Sequence, residues 1–467
     1  MKKYLILNLF LVLFCRISLA QKPRVFVLTD IENEPDDAMS YVRFLTYANQ
    51  FDTEGIVATT SCWQRTKTAE WRLHDITEAY GKVRDNLEIH EGGYPTEKFI
   101  HSIIKKGLPV FGKEGLGEGK DSEGSEWLIQ SMLKNDTRPL YIQAWGGTNV
   151  LAQALWKLRR TIKESELARV ITRLRVYTIS DQDDTGPWIR KNFPGLFYVV
   201  SPGFEENGGG QYHYATWSGI SGDIYHGRFS GADTSIVRNK SLDQHVRQNH
   251  GALGDKYPKI DFLMEGDSPA FLGLINNGLN DPEHPDYGSW GGRYELYIPP
   301  FRKYMYEPET RPIWTDTQDE VYSDITKSYH TSNHATIWRW RKAFQHDFFA
   351  RMDWCVAKKY SEANHPPKVS LNHPNEITAK SGEEVVLSGL GTDPDNNTLQ
   401  YSWMHYKEPG SLAASRFVLK NSVDKEVKFT APPVTEARTM HFILEVSDNG
   451  TPSLTRYQRV IVNVIPK

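Results

Sequence analysis

An apolar run, Val25-Phe26-Val27-Leu28, leads into the octet Asp30-Ile31-Glu32-Asn33-Glu34-Pro35-Asp36-Asp37, and this junction constrains the fold more than any other stretch. A short apolar run closed by turn chemistry reads as a strand buried on both faces. The residues after it, Ala38 to Leu45, read as a helix, and Pro35 suits its first position. Open α/β sheets place their ligands in such loops, beyond the carboxyl ends of the strands. Acids favour a helix start, but one or two suffice for that. Five carboxylates in eight residues repel one another. A divalent cation, or raised pKa values, is the natural way to hold them together.

The same alternation continues along the chain. Apolar runs predict strands at 24–28, 54–60, 139–145, 174–180, 197–200 and 259–264. Helical patterns fall at 36–49, 66–80, 149–160, 187–192 and 333–358. In the last helix Ile337, Trp340, Phe344, Phe348 and Met352 recur at helical spacing and read as core. The expectation is an α/β domain with a mainly parallel sheet covered by helices. Past Asn364-His365-Pro366-Pro367 the texture changes to short strands separated by turns rich in Asp, Asn, Gly and Pro. That pattern reads as an immunoglobulin-like β-sandwich. The expected organisation is a signal peptide at 1–20, an α/β domain at 21–362 and a sandwich at 363–467.

Three further loops follow expected strands. Trp145-Gly146-Gly147-Thr148-Asn149 has glycines that let backbone approach a ligand, with Thr148 or Asn149 free to cap the next helix. Asp181-Gln182-Asp183-Asp184 offers groups for sugar hydroxyls, or simply turn and cap residues. Glu265-Gly266-Asp267-Ser268-Pro269 opens a helix through Ser268 and Pro269, which leaves Asp267 unexplained. Parallel strands ending in acids and glycines converge on one edge of a sheet. Downstream, Gly288-Ser289-Trp290-Gly291-Gly292-Arg293-Tyr294 could stack a sugar or pack as a tight loop.

Several function classes fall away. The net charge of −3 gives no basis for a nucleic-acid or membrane surface. Lys2-Lys3, the apolar stretch Tyr4–Phe14 and Ser18-Leu19-Ala20 form an export signal too short to span a bilayer, which implies a periplasmic or secreted protein. Cys62 and Cys355 remain after cleavage, either as free thiols or as one pair.

At these residues the chain resembles the nucleoside hydrolases. Their Asp-x-Asp-x-x-x-Asp-Asp loop is matched by Asp30, Glu32, Asp36 and Asp37, with Glu32 replacing the second Asp. More narrowly, it resembles exported bacterial proteins described as cellulose-binding, which join a nucleoside-hydrolase-like domain to an immunoglobulin-like one. The acidic loop, Trp145-Gly146-Gly147-Thr148-Asn149, Gln182-Asp183-Asp184, Glu265-Gly266-Asp267 and Trp290-Gly291-Gly292-Arg293 carry that likeness. The resemblance implies a Ca²⁺ ion held by Asp30, Asp37, Asp267 and the Trp145 carbonyl, with Asp36 reading sugar hydroxyls. It implies hydrolysis of a glycosidic, including N-glycosidic, bond by a calcium-bound water, with Glu32 or Glu34 as base. Glu265 and Asp184 are the candidate acids, since Gly266 stands where those enzymes often carry a His. Asn149, Gln182, Asp183, Asp184, Trp290 and Arg293 are the further candidate contacts to an oligosaccharide or polysaccharide. Non-catalytic carbohydrate binding is the alternative. The oligomeric state is not readable from the sequence.

Overall fold

The computed structural model describes residues 21–204, 211–222, 231–412, 417, 419–420 and 422–467. The expected export signal lies outside them. The first sheet contains β1 (Arg24–Thr29), β2 (Asp52–Ala58), β3 (Ile104–Lys106), β4 (Leu140–Ala144), β5 (Leu174–Ser180), β6 (Phe197–Ser201), β7 (Tyr294–Tyr297) and β8 (Ile313–Asp316). Their order is β3-β2-β1-β4-β5-β6-β8-β7. All neighbours are parallel except β7 with β8.

Every residue of β1 is buried. Val25 and Val27 join one apolar core, and Phe26 and Leu28 join the other. This is the period-two alternation of a strand covered by helices on both faces. The chain runs from β1 outward to β2 and β3, then returns to the other side of β1 as β4. That reversal is the topological switch point, where a crevice opens beyond the strand ends. The acidic octet follows β1 and Trp145-Gly146-Gly147 follows β4, so both loops border the crevice.

Two expectations fail. Residues 259–264 are not a strand: Asp261 and Phe262 are exposed, and β8, from later in the chain, takes the place beside β6. The helix expected at 333–358 is broken into Ala335–Trp338 and Arg341–Trp354. At the break Trp340 packs edge-on against Tyr406 and Tyr457, while Arg339 bonds Asp319 at 2.8 Å.

A hairpin of β9 (Asp319–Ser323) and β10 (Ser328–Ser332) precedes that helix pair. The C-terminal strands then form two sheets. One is ordered β11 (Lys368–Leu371), β13 (Glu384–Thr392), β15 (Glu426–Thr430); the other β12 (Glu376–Lys380), β17 (Thr455–Ile465), β16 (Arg438–Ser447), β14 (Gln400–Tyr406). Residues of both sheets share one apolar core, as in a sandwich. Tyr406, Ile443 and Tyr457 of this sandwich are buried in the core of the α/β domain, so the two domains are packed together. Among the described residues Cys62 and Cys355 are both free. Among the described residues no helix is long and apolar enough to cross a membrane.

Candidate functional site

The first helix, Pro35–Thr46, starts directly in the acidic loop with Pro35 at its first position and Asp36 and Asp37 in its first turn. Both acids are buried, as is Asp30. A second segment closes on them. Arg43, two turns along the same helix, binds Glu265 through both Nε and Nη2, the latter at 3.2 Å. Tyr257 donates to Glu265 at 2.6 Å and Ser268 at 2.8 Å. Glu265 thereby takes a left-handed φ of 52°. Two residues on, Asp267 comes to face the start of the helix. Ligand oxygens of Asp36, Asp37 and Asp267 lie within 4.8 Å of one another.

Close backbone approach completes the cluster. A Cβ on Gly146 would stand 2.7 Å from the Asp30 carboxylate, and one on Gly266 2.8 Å from Asp36 Oδ2. Only glycine fits at either point. The Trp145 ring is core, packed with Phe44 and Phe271, while its carbonyl accepts the Gln182 side-chain amide at 2.7 Å.

The electrostatics are those of charge gathered without compensation. Burial, eased by Ser61, pushes Asp30 up to about 6. Burial and the Asp30 charge push Asp36 up to about 7. Burial first, then neighbouring acids, hold Asp37 and Asp267 well above the usual carboxylate range. Asp267 Oδ1 and Oδ2 and Asp30 Oδ2 are buried with no hydrogen-bond partner. Orphaned acceptors of this kind are rare in folded chains and mark a site for an ion or ligand. All of these donors are hard oxygens, which suits calcium rather than zinc. The residues present therefore fit a divalent cation.

Other candidates stand elsewhere. Glu32 has φ 71° and turns outward to pair with Arg72 at 3.0 Å, away from the cluster. Glu265 is the counter-ion of Arg43, fully buried, and is not placed to protonate a leaving group. Asp183 accepts from the backbone N–H of Asn149 at 3.0 Å and of Thr185 at 2.9 Å, so it caps two helices. Asn149 donates to the Val110 carbonyl at 2.9 Å, and Asp184 accepts from the Lys113 N–H at 2.8 Å. The polar atoms of these three hold loops together rather than face a ligand.

Trp290 and Arg293 do not form a sugar-stacking wall. Trp290 is fully buried between Phe344 and Tyr457. Arg293 is tied to Asp319 at 2.7 Å and Glu295 at 2.8 Å. The neighbouring glycines serve packing: a Cβ on Gly291 would stand 2.4 Å from the Pro269 carbonyl. The aromatics near the cluster are different ones. Trp217 would meet a Cβ on Gly266 at 2.8 Å and packs edge-on against Tyr212, whose hydroxyl accepts from Trp63 Nε1 at 3.4 Å. Trp63 follows the second strand and was within reach of strand-end reasoning. Tyr212 and Trp217 sit in a segment with no strand pattern, and nothing local flags them.

Comparison with known proteins agrees with this architecture. The model of the cellulose-binding Sde182 nucleoside hydrolase-like domain matches residues 24–294. That of the cellulose-binding protein Sde0182 C-terminal domain matches residues 384–464. A solved nucleoside hydrolase-related hypothetical protein from Saccharophagus degradans, associated with carbohydrate metabolism, is 34% identical; the match covers 95% of this chain and 100% of that one, with a TM-score of 0.79. The type III effector XopQ complexed with adenosine diphosphate ribose is 10% identical over 63% of this chain and 88% of its own, at a TM-score of 0.27, too low to carry an argument. No protein of curated function matches. The chain belongs to the cellulose-binding Sde182 family, with its nucleoside-hydrolase-like domain followed by its C-terminal domain.

Proposed function

We propose that this chain is an exported, carbohydrate-directed protein that binds a glycan of the cellulose type at the switch-point cluster, through a calcium ion. The observation that carries this reading is Asp267: both its carboxylate oxygens are buried and unpartnered, in reach of Asp36 and Asp37. Asp37, Asp267 and Asp36 would hold the ion, with Asp30 and the Trp145 carbonyl beside them. When bound, calcium supplies the charge that lets these acids ionise together, anchors hydroxyl oxygens and acidifies water. The chain's own residues do the rest. Arg43 fixes Glu265 and so the position of Asp267. Gly146 and Gly266 allow backbone to close on the acids. Gln182 orients the Trp145 carbonyl.

Hydrolysis of a glycosidic bond is a second reading, and Glu34 favours it. Glu34 lines an open cleft beside the cluster, and its charge acts on Asp37 and Asp267. In this reading Glu34 would hold or remove a proton at the mouth of the site. Calcium titration, cellulose pull-down and reducing-sugar release from cello- and xylo-oligosaccharides test the two readings together. Absence of calcium uptake overturns the first. Turnover that Glu34→Gln abolishes while calcium uptake persists establishes the second, and binding without turnover across the panel removes it.

A further inference from the structure

Glu32 departs from the Asp of the nucleoside hydrolases by one methylene, and its backbone departs into the left-handed region at φ 71°. Together these carry its carboxylate away from Asp30 and onto Arg72 of the helix Glu70–Gly81. The guanidinium is held from two further sides, by Asp75 at 2.6 Å and by the Lys256 carbonyl at 3.4 Å. Beside this ion pair Trp71 leaves 59% of its surface in solvent. A lone exposed tryptophan on a helix needs no explanation. This one is part of the wall of a cleft of about 460 Å³, within the size range of small-molecule sites. The Glu32–Arg72 pair forms one edge of that cleft, and Pro35, Ala38 and Pro258 supply apolar surface. Glu34 lines it as well, and Asp36 and Asp37 follow within three residues. The cleft thus opens beside the loop that carries the switch-point cluster.

We infer that this cleft is a second sugar subsite, which takes the ring next to the one held at the cluster, so that the ligand is a linear β-glycan chain rather than a single sugar. An indole face stacks on the C–H face of a pyranose. A fixed carboxylate and a fixed guanidinium present acceptors and donors at the ring's edge, where hydroxyls lie. The apolar floor matches the alternation of apolar faces and polar edges along such a chain. Glu32 thus serves glycan recognition in place of the proton transfer that its position in the loop suggests. This inference rests on the carbohydrate reading of the cluster, and its test separates the two.

The experiment is calorimetric titration of the calcium-loaded protein with glucose, cellohexaose and xylohexaose. Wild type, Trp71→Ala, Glu32→Gln and Asp37→Ala are compared, and calcium uptake is measured in each. The expected result is that wild type gains affinity from glucose to one of the hexamers. Trp71→Ala weakens that hexamer about tenfold, the worth of one lost stacking contact. Glu32→Gln weakens it less, and both variants keep wild-type calcium uptake. A hexamer bound no better than glucose by wild type, or equally well by Trp71→Ala, overturns the subsite. Asp37→Ala that takes up calcium like wild type overturns the cation reading instead, whatever Trp71→Ala does. The exposure of Trp71 makes its replacement harmless to folding.

Discussion

Asp267 and Asp37 bring carboxylate oxygens within 4.8 Å of each other, and neither oxygen of Asp267 accepts a hydrogen bond. Two like charges buried so close cost stability unless a proton or a cation stands between them. The arrangement persists because Arg43, on the same helix as Asp37, pins Glu265 and leaves Asp267 no other place. The first helix thus carries both acids of the cluster and the clamp that delivers the third.

Asp267→Asn removes one buried charge from that cluster. In chelator the variant is expected to be more stable than wild type by about 1–2 kcal/mol, because apo stability is sacrificed at sites built for a ligand. Its stabilisation by calcium is expected to vanish. Thermal melts with and without EDTA check both signs, and a variant less stable than wild type in EDTA contradicts the prediction.

Arg43→Met breaks a fully buried ion pair and leaves Glu265 uncompensated. Roughly 3–5 kcal/mol of stability should be lost, as for other buried pairs with one partner removed. Arg43→Lys should restore little, since a single ammonium cannot hold both Glu265 oxygens and the Gln345 side chain as Arg43 does. Urea unfolding of both variants measures this.

The strands that build the crevice were legible because each combines an apolar run with turn residues, as in Val25–Leu28 before Asp30. Asp30, Asp36 and Asp37 were legible because a helix start needs only one or two acids and this loop carries five. Partners distant in sequence were not legible. Glu32 is turned aside by Arg72, forty residues on, and Glu265 is taken by Arg43, more than two hundred residues before it. Trp290-Gly291-Gly292-Arg293 has the composition of a sugar-stacking loop, yet it serves a domain contact that local pattern cannot reveal. The apolar residues of 259–264 suggested a strand, but pairing depends on which segment wins the edge beside β6, and β8 wins it.

Trp290→Ala is therefore expected to act on stability alone. Emptying a fully buried site between Phe344 and Tyr457 should cost about 3–5 kcal/mol. The folded fraction should bind calcium and cello-oligosaccharides as wild type does. Calorimetry below the melting transition checks this, and selective loss of sugar affinity would restore Trp290 to the binding surface.

Asp347 joins the two domains through Arg456 at 2.7 Å and pairs with Arg351, one turn along its own helix, at 3.2 Å. Burial alone would raise its pKa, but these two guanidinium groups outweigh it and hold the carboxyl at about 2. A folded-state value below the ordinary ~3.9 means that the carboxylate stabilises the fold above about pH 4, and that this is lost as pH falls towards 2. The contribution is about 2 kcal/mol. Asp347→Asn should be less stable than wild type at neutral pH, with the gap narrowing through that acid window. A gap independent of pH in acid unfolding contradicts the assignment.

Calorimetric titration of calcium into wild type and Asp37→Ala tests the cluster most directly. Wild type should take up calcium stoichiometrically, and Asp37→Ala should take up none while keeping the β-sandwich folded by far-ultraviolet circular dichroism. Stoichiometric uptake that survives in Asp37→Ala would contradict the account.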